Sequence, residues 1–150
     1  MGEKQSTEEI RNVSIALDNA IENKRLDSVL SCFADDCEIE LLRHSLYGKA
    51  GVEKWFDWLF KNIRQIKFQP VITMAEGNVL FEEYIMRARL HSGPEIKSKQ
   101  SEVLVFENNR IKSLRIYFDR LDFVDTVAKD PVSKAVVNRI IKKSLEGLSD

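Results

Sequence analysis

The second half of the chain contains four long segments in which apolar and polar residues alternate, with very short turns between them. The segments cover about 68–74, 79–91, 96–107 and 110–118. Alternation with a period of two is typical of strands that bury one face. The turns are Glu76-Gly77-Asn78, Ser92-Gly93-Pro94 and Asn108-Asn109. Because turns this short join antiparallel neighbours, the pattern predicts an antiparallel sheet with one buried face.

Helices are predicted on both sides of these strands. Ser6 and Glu9 form a capping-box pattern that starts a helix over about 7–23, and a short helix over about 26–33 follows. Cys37, Ile39 and Leu41 alternate with glutamates and predict a further strand. The next segments are a loop with His44 and Ser45, a helix from Gly48 to about Ile63, and a C-terminal helix over about 131–147. Asp130 and Pro131 are a typical start for that last helix.

Size and composition indicate one globular domain over 1–150, with its core at about 7–124. The chain has 150 residues, of which 43% are hydrophobic, and its formal net charge is −1. A charge this small favours neither a nucleic acid nor a membrane as partner. The first ten residues lack the apolar core of a secretion signal, and Cys32 and Cys37 make no disulfide framework. We therefore expect a cytoplasmic protein.

Four motifs carry a resemblance to a known family. FADDCEI, YGKAGVE, VLFEEY and IYFD occur in this order between Phe33 and Asp119. In this respect the chain resembles the nuclear transport factor 2-like superfamily, within it the SnoaL-like polyketide cyclases and the limonene-1,2-epoxide hydrolases. The resemblance implies an α+β fold. Its expected form is a cone-shaped, curved mixed sheet, with three helices from the N-terminal half enclosing a pocket and one extra C-terminal helix.

The same resemblance implies that the family's reactive residues are replaced. The water-binding Tyr and Asn of the epoxide hydrolases would fall on Ile39 and Leu41. Their Asp-Arg-Asp array would fall on Glu83, Ile85 and Ile116, and the isomerase and cyclase acids would fall on Leu41 and Ile116. An alkyl side chain cannot accept a proton, so the resemblance predicts that these three mechanisms are absent.

Strand alternation predicts which side chains line the pocket. One face of the 79–91 segment would present Phe81, Glu83, Ile85 and Arg87, and the next strands would present Ser98, Gln100, Glu102, Leu104, Leu114, Ile116 and Phe118. A slip of one residue would turn a whole set outward. Glu83 and Glu102 are the predicted base and acid. Predicted substrate contacts are Arg87, Gln100, Ile39, Leu41, Phe81, Ile85, Leu114, Ile116 and Phe118. No metal site and no cofactor are predicted.

Three functions remain open from the sequence. The first is a cofactor-free proton-transfer enzyme of the isomerase, cyclase or dehydratase type, acting on an apolar or carbonyl substrate. The second is a non-catalytic module that binds a small apolar molecule. The third is an assembly domain that forms the expected homodimer and uses the outer sheet face, where Arg115 and Tyr117 would lie, and the C-terminal helix. The polar cluster could equally be a structural ion pair, and the C-terminal helix could pack on its own domain, on a partner or on a membrane.

Overall fold

A computed structural model describes residues 5–148 and contains an α+β fold with one six-stranded sheet. The helices are α1 (Thr7–Glu22), α2 (Leu26–Ser31), α3 (Gly48–Asn62), α4 (Val124–Val127) and α5 (Pro131–Ser144). The strands are β1 (Phe33–Leu41), β2 (His44–Tyr47), β3 (Ile63–Glu76), β4 (Val79–Leu90), β5 (Glu95–Glu107) and β6 (Arg110–Phe118). A 3₁₀ turn spans Arg120–Phe123. The predicted fold class is confirmed.

The sheet is mixed and has the strand order β2-β1-β6-β5-β4-β3. Only β1 and β6 pair in parallel, and every other neighbouring pair is antiparallel. The helices α1 and α3 lie against β3 and β1, respectively. We call the buried face of the sheet the inner face. The largest fully buried side chains include Phe33, Phe56, Phe106, Leu80 and Leu104, and they form the apolar core between sheet and helices.

A local signal explains where helix α1 begins. The Ser6 hydroxyl accepts from the Glu9 N–H at 3.1 Å, and the Glu9 carboxylate accepts from the Ser6 N–H at 3.0 Å. This reciprocal pair satisfies amide groups that the first turn of α1 leaves without partners. The predicted capping box is therefore confirmed. The helix ends one residue before the predicted Asn23.

The segment predicted as a loop at His44 and Ser45 is instead strand β2. Leu41 pairs with His44, so that only Leu42 and Arg43 form the turn, and both have positive φ, 44° and 74°. Two residues in this conformation make a tight hairpin turn. Neither residue is the Gly, Asn or Asp that usually marks such a turn, which is why the pattern did not predict a strand.

The predicted orientation of β4 is wrong by one residue. Its buried side chains are Leu80, Glu82, Tyr84, Met86 and Ala88, whereas Phe81, Glu83, Ile85 and Arg87 lie on the opposite, outer face. The predicted orientations of β5 and β6 are confirmed, since Ser98, Gln100, Glu102, Leu104, Leu114 and Ile116 are buried. Only β4 is reversed, and the acid/base assignment changes with it.

The described residues divide into two compact units, the first ending at Phe118 and the second beginning at Asp119. The second unit contains the 3₁₀ turn, α4 and α5. The Asp130 carboxylate accepts from the Ser133 N–H at 2.9 Å and Pro131 occupies the first turn of α5, as predicted. The helix ends at Ser144 instead of 147. One domain over 1–150 remains a prediction, and residues 1–4, 149 and 150 lie outside the described part.

Candidate functional site

Three carboxyl groups from three elements meet at the inner face of the sheet. Glu82 comes from β4, Glu102 from β5 and Asp18 from α1. Glu82 and Glu102 are 5% and 7% exposed, and Asp18 is half-buried. The charges of Asp18 and Glu82 raise the pKa of Glu102, and the charge of Glu82 raises that of Asp18. We call Asp18, Glu82 and Glu102 the acid cluster.

Two members of the acid cluster are direct cross-strand neighbours. The β4–β5 register places Glu82 opposite Glu102. Side chains in such a pair have Cβ atoms about 5 Å apart, and two like charges at that separation destabilise a sheet. Burial raises the pKa of Glu82, but less than it would alone, because the Thr73 hydroxyl donates to the carboxylate at 3.2 Å and the charge of Arg11 also lowers the pKa. Glu82 is therefore the member with the best support for a negative charge.

Glu102 has the opposite surroundings. Burial raises its pKa, and the charges of Asp18 and Glu82 raise it further, to about 8. Burial also raises the pKa of Asp18, to about 7, with help from Glu82 and Glu22. No ion pair formed within residues 5–148 involves a member of the acid cluster. The cluster therefore retains a proton at neutral pH, and Glu102 is its main carrier.

A chain of hydrogen bonds continues from Glu102 along the inner face. Tyr84 contacts the Glu102 carboxyl, and its hydroxyl donates to Gln100 Oε1 at 3.1 Å. Gln100 Nε2 then donates to Ser98 Oγ at 3.2 Å. A phenol has one proton to donate. In this geometry that proton lies on Gln100, and the hydrogen bond between Tyr84 and the Glu102 carboxyl lowers the pKa of Glu102, which partly offsets the effects of burial and of the two acidic neighbours.

The aromatic ring of Tyr84 is held by packing. Its centroid lies 5.6 Å from that of Phe68, with the rings nearly perpendicular at 83°. Edge-to-face pairs of this kind are a favoured aromatic geometry. Burial, followed by the charges of Glu102 and Asp18, raises the pKa of Tyr84 well above its ordinary value. Tyr84 therefore acts as a neutral hydrogen-bonding group at working pH.

Helix α1 carries Asp18 and is tied to the edge of the sheet at its C-terminal end. Glu22 accepts from the Phe68 N–H at 2.9 Å and forms an ion pair with Lys67 at 3.0 Å. The Lys24 ammonium donates to the Ile63 carbonyl. These bonds join the last turn of α1 to β3. They hold Asp18, one turn before Glu22, over the sheet.

Most predicted contact residues lie on the same face as the acid cluster. Gln100, Ile39, Leu114 and Ile116 are buried there, and Leu41 and Phe118 are placed there by pairing with Ile116 and Gln100. Among them, Ile116 is the direct cross-strand neighbour of Glu102. Contact with a small molecule remains a prediction for all of them, as does the acid/base role of Glu102.

The other predicted site residues are on the outer face. Glu83 forms an ion pair with Lys99 at 3.2 Å, and Arg87 forms one with Glu95 at 3.3 Å. Phe81 and Ile85 are half-buried on the same face. The predicted placement of these four beside Glu102 is wrong. The epoxide hydrolase positions assigned to Glu83 and Ile85 therefore also point away from the acid cluster.

Asp18, Glu82 and Tyr84 were not predicted as site residues from the sequence. Glu82 and Glu83 are adjacent, and both faces of β4 carry apolar residues, so alternation alone supported either orientation. The hairpin provides the deciding signal. Arg89 pairs with Glu95 and leaves five residues between them, whereas the predicted orientation needs an even number. Asp18 lies close to the apolar stripe of α1, but because it is charged it was assigned to the solvent-facing side of the helix.

The arrangement can hold and transfer protons without a metal. Within residues 5–148, no group of three His, Cys, Asp or Glu side chains has a geometry that could hold a metal ion. A protonated carboxyl beside an ionisable one can act as general acid and general base. Cys32 and Cys37 are free and buried, and burial raises the pKa of both thiols, which makes them poor nucleophiles.

Sequence comparison identifies a family for most of the first compact unit, which ends at Phe118. The profile of the SnoaL-like domain matches residues 15–114, a range that contains all three members of the acid cluster. No match was found among curated proteins. In the described residues, no helix is both long and apolar enough to cross a membrane.

Many solved structures share the fold. An LEH-like epoxide hydrolase of M. tuberculosis has a TM-score of 0.71 and 19% identity, covering 87% of this chain and 97% of its own. An NTF2-like protein of unknown function from Burkholderia pseudomallei has a TM-score of 0.71 and 17% identity, and the match covers 77% of this chain and 95% of its own. SalBIII is an epoxide hydrolase/cyclase-like enzyme with a role in pyran ring formation in salinomycin. It has a TM-score of 0.68 and 14% identity, and the match covers 77% of this chain and 94% of its own. At these identities the likeness shows the fold alone.

Proposed function

The chain belongs to the SnoaL-like domain family, and we propose that it is a cofactor-free enzyme that transfers protons on a small uncharged substrate. The observation that carries this proposal is the acid cluster, in which a buried Glu102 keeps its proton close to neutral pH. An acid with a pKa near working pH is a good proton donor and, once ionised, a good acceptor.

The substrate class follows from the surroundings of Glu102. Three carboxyl groups repel an anion, and the apolar side chains of Ile39, Leu114 and Ile116 favour an apolar molecule. An oxygen atom of the substrate is needed to accept the Glu102 proton. A small molecule with a carbonyl, hydroxyl or ether oxygen meets these requirements. Two structural neighbours, an LEH-like epoxide hydrolase and an epoxide hydrolase/cyclase-like enzyme, are named for reactions of oxygen-containing substrates of this kind.

We assign complementary roles to the acid cluster. Glu102 donates its proton to the substrate oxygen while an ionised Asp18 removes a proton from carbon or from water. The number of protons on the cluster is then unchanged at the end of the step. Tyr84 and Gln100 hold the oxygen in place. A step with no net change in the number of protons on the cluster suits an isomerisation, a cyclisation or a dehydration.

Proton exchange in heavy water tests the proposal. A panel of small ketones is incubated with the protein in D2O, and deuterium entering the carbon next to the carbonyl is followed by NMR. We expect exchange above the protein-free rate and a loss of at least about 100-fold in Glu102→Gln, in line with general acid–base contributions. Glu83→Gln is the matched control and should keep full activity. Equal rates in wild type and Glu102→Gln would contradict the proposal.

Non-catalytic binding of a small apolar molecule is the alternative for the same face. Native mass spectrometry of the purified protein distinguishes the two. A retained apolar ligand, together with no exchange on any ketone, would favour a binding module. The cytoplasmic location also remains a proposal, which rests on the reduced state of Cys32 and Cys37.

The outer face of the sheet supports a second proposed role, assembly with another copy. Its apolar side chains are exposed or half-buried: Ile72, Met74, Val79, Phe81, Ile85, Val103, Val105 and Tyr117. The same face carries the acidic Glu83 and the basic Lys99 and Arg115. Opposite charges on one patch allow two identical faces to pair about a twofold axis. Met74→Lys should shift the sedimentation of the protein from dimer to monomer, and an unchanged dimer would contradict this interface.

A further inference from the structure

Helix α5 is amphipathic, and the proposed activity does not involve it. It follows the residues matched by the SnoaL-like profile, which end at 114. Val132, Val136 and Ile140 are 73%, 53% and 52% exposed, so no other element of the C-terminal unit covers them. An exposed apolar stripe on a short helix indicates a surface that meets another phase or another molecule.

The charges of α5 all have one sign. Lys134, Arg139, Lys142 and Lys143 are exposed, and no acidic residue lies between Pro131 and Leu145. Among the described residues, none of the four forms an ion pair with an acid of the C-terminal unit. The helix therefore presents an uncompensated positive surface beside its apolar stripe.

Three of the four cations lie within about 20° of the borders of the stripe, and Lys142 lies on the opposite side of the helix. With 3.6 residues per turn, the apolar side chains from Val132 to Ile141 span roughly half of the helix circumference. Lys134 and Arg139 then fall about 20° beyond its two borders. Long basic side chains at this place can extend to a charged layer while the stripe enters an apolar one.

We propose that α5 binds the surface of anionic lipid membranes, with its apolar stripe among the acyl chains and its cations on the headgroups. A second copy of α5 is the less suitable occupant of the stripe, because two facing helices would bring their cations together. The expectation of no membrane partner rested on the net charge of the whole chain. That near-zero value conceals a helix with four cations and no acid.

Vesicle flotation tests this proposal on the full chain. The probe is a vesicle of phosphatidylserine and phosphatidylcholine, with pure phosphatidylcholine as the uncharged comparison. We expect binding only to the anionic vesicles and a decrease with added salt. Each basic residue near such a surface contributes about fivefold in affinity. Lys134→Gln/Lys143→Gln should therefore weaken binding about 25-fold.

Two further variants separate the contributions of charge and stripe. Lys54→Gln/Lys97→Gln makes the same change in net charge at exposed positions of the first unit and should alter binding less than about twofold. Ile140→Ser should weaken it about tenfold or more. Equal losses in both lysine pairs, or no flotation of the wild type, would overturn the proposal. A dimer in lipid-free sedimentation that Ile140→Ser converts to monomer would also overturn it, because a second copy would then cover the stripe.

Discussion

Replacing Glu102 by Gln should remove a large part of the loss of stability that the wild type shows as the pH rises from 4.5 to 8. The carboxyl titrates at an ordinary value of 4.5 in the unfolded chain and at about 8 in the folded protein. The folded state therefore binds more protons than the unfolded state between these values. Since stability falls with pH wherever the folded state binds more protons, the contribution of Glu102 is complete below pH 4.5 and is lost by pH 8.

The magnitude follows from the two pKa values. Each pH unit between them removes up to about 1.4 kcal/mol, so the loss by pH 7 is about 3 kcal/mol. Glutamine resembles the protonated carboxyl in shape and can still donate to the Tyr84 oxygen. Glu102→Gln should therefore equal the wild type near pH 4.5 and exceed its free energy of unfolding by about 3 kcal/mol at pH 7.

Urea unfolding, followed by the fluorescence of Trp55 and Trp58 in α3, measures this difference from pH 4.5 to 9. Glu83→Gln is the matched control, because Glu83 lies on the outer face and pairs with a mostly exposed Lys99. Its effect should stay below about 1 kcal/mol and should not change with pH. Parallel stability curves for Glu102→Gln and wild type would refute the reasoning.

The remaining predictions concern the supports of the site and of the fold. Tyr84→Phe removes the hydroxyl that donates to Gln100, and unfolding experiments should show a loss of about 1–3 kcal/mol, together with reduced ketone exchange; unchanged stability and exchange would contradict the hydrogen-bond chain. Gly48→Ala should cost about 1–2 kcal/mol, because φ is +66° and the new Cβ would lie 3.2 Å from the Asp35 carbonyl oxygen; a Tm equal to wild type would argue against this backbone. Ser6→Ala should cost about 1 kcal/mol through loss of the α1 cap, and an unaltered urea midpoint would show that the capping box is not formed.

The elements of this fold were largely predictable because their signals are local. The capping box at Ser6, the Asp130-Pro131 start of α5 and the alternation of β5 each depend on residues close in sequence. Strand β2 was missed because Leu42 and Arg43 adopt positive φ without a glycine. Local signals thus predict elements well wherever the residues have the usual backbone preferences.

The candidate site was only half predictable. Glu102 and Gln100 follow from the alternation of β5, which has one clearly polar and one clearly apolar face. Strand β4 is apolar on both faces, because its outer face is also an exposed apolar surface, and so its orientation depended on the hairpin loop. Asp18 joins the cluster through the packing of α1 on β3, a long-range contact that no local pattern reports.

The central claim is that Glu102 keeps a proton at neutral pH inside the acid cluster. Carbon-13 NMR of the glutamate side-chain carboxyl groups measures this directly, with the Glu102 resonance assigned by its loss in Glu102→Gln. We predict an apparent pKa of about 8 for that carboxyl. A Glu102 carboxyl that titrates near its ordinary value of 4.5 would contradict the claim.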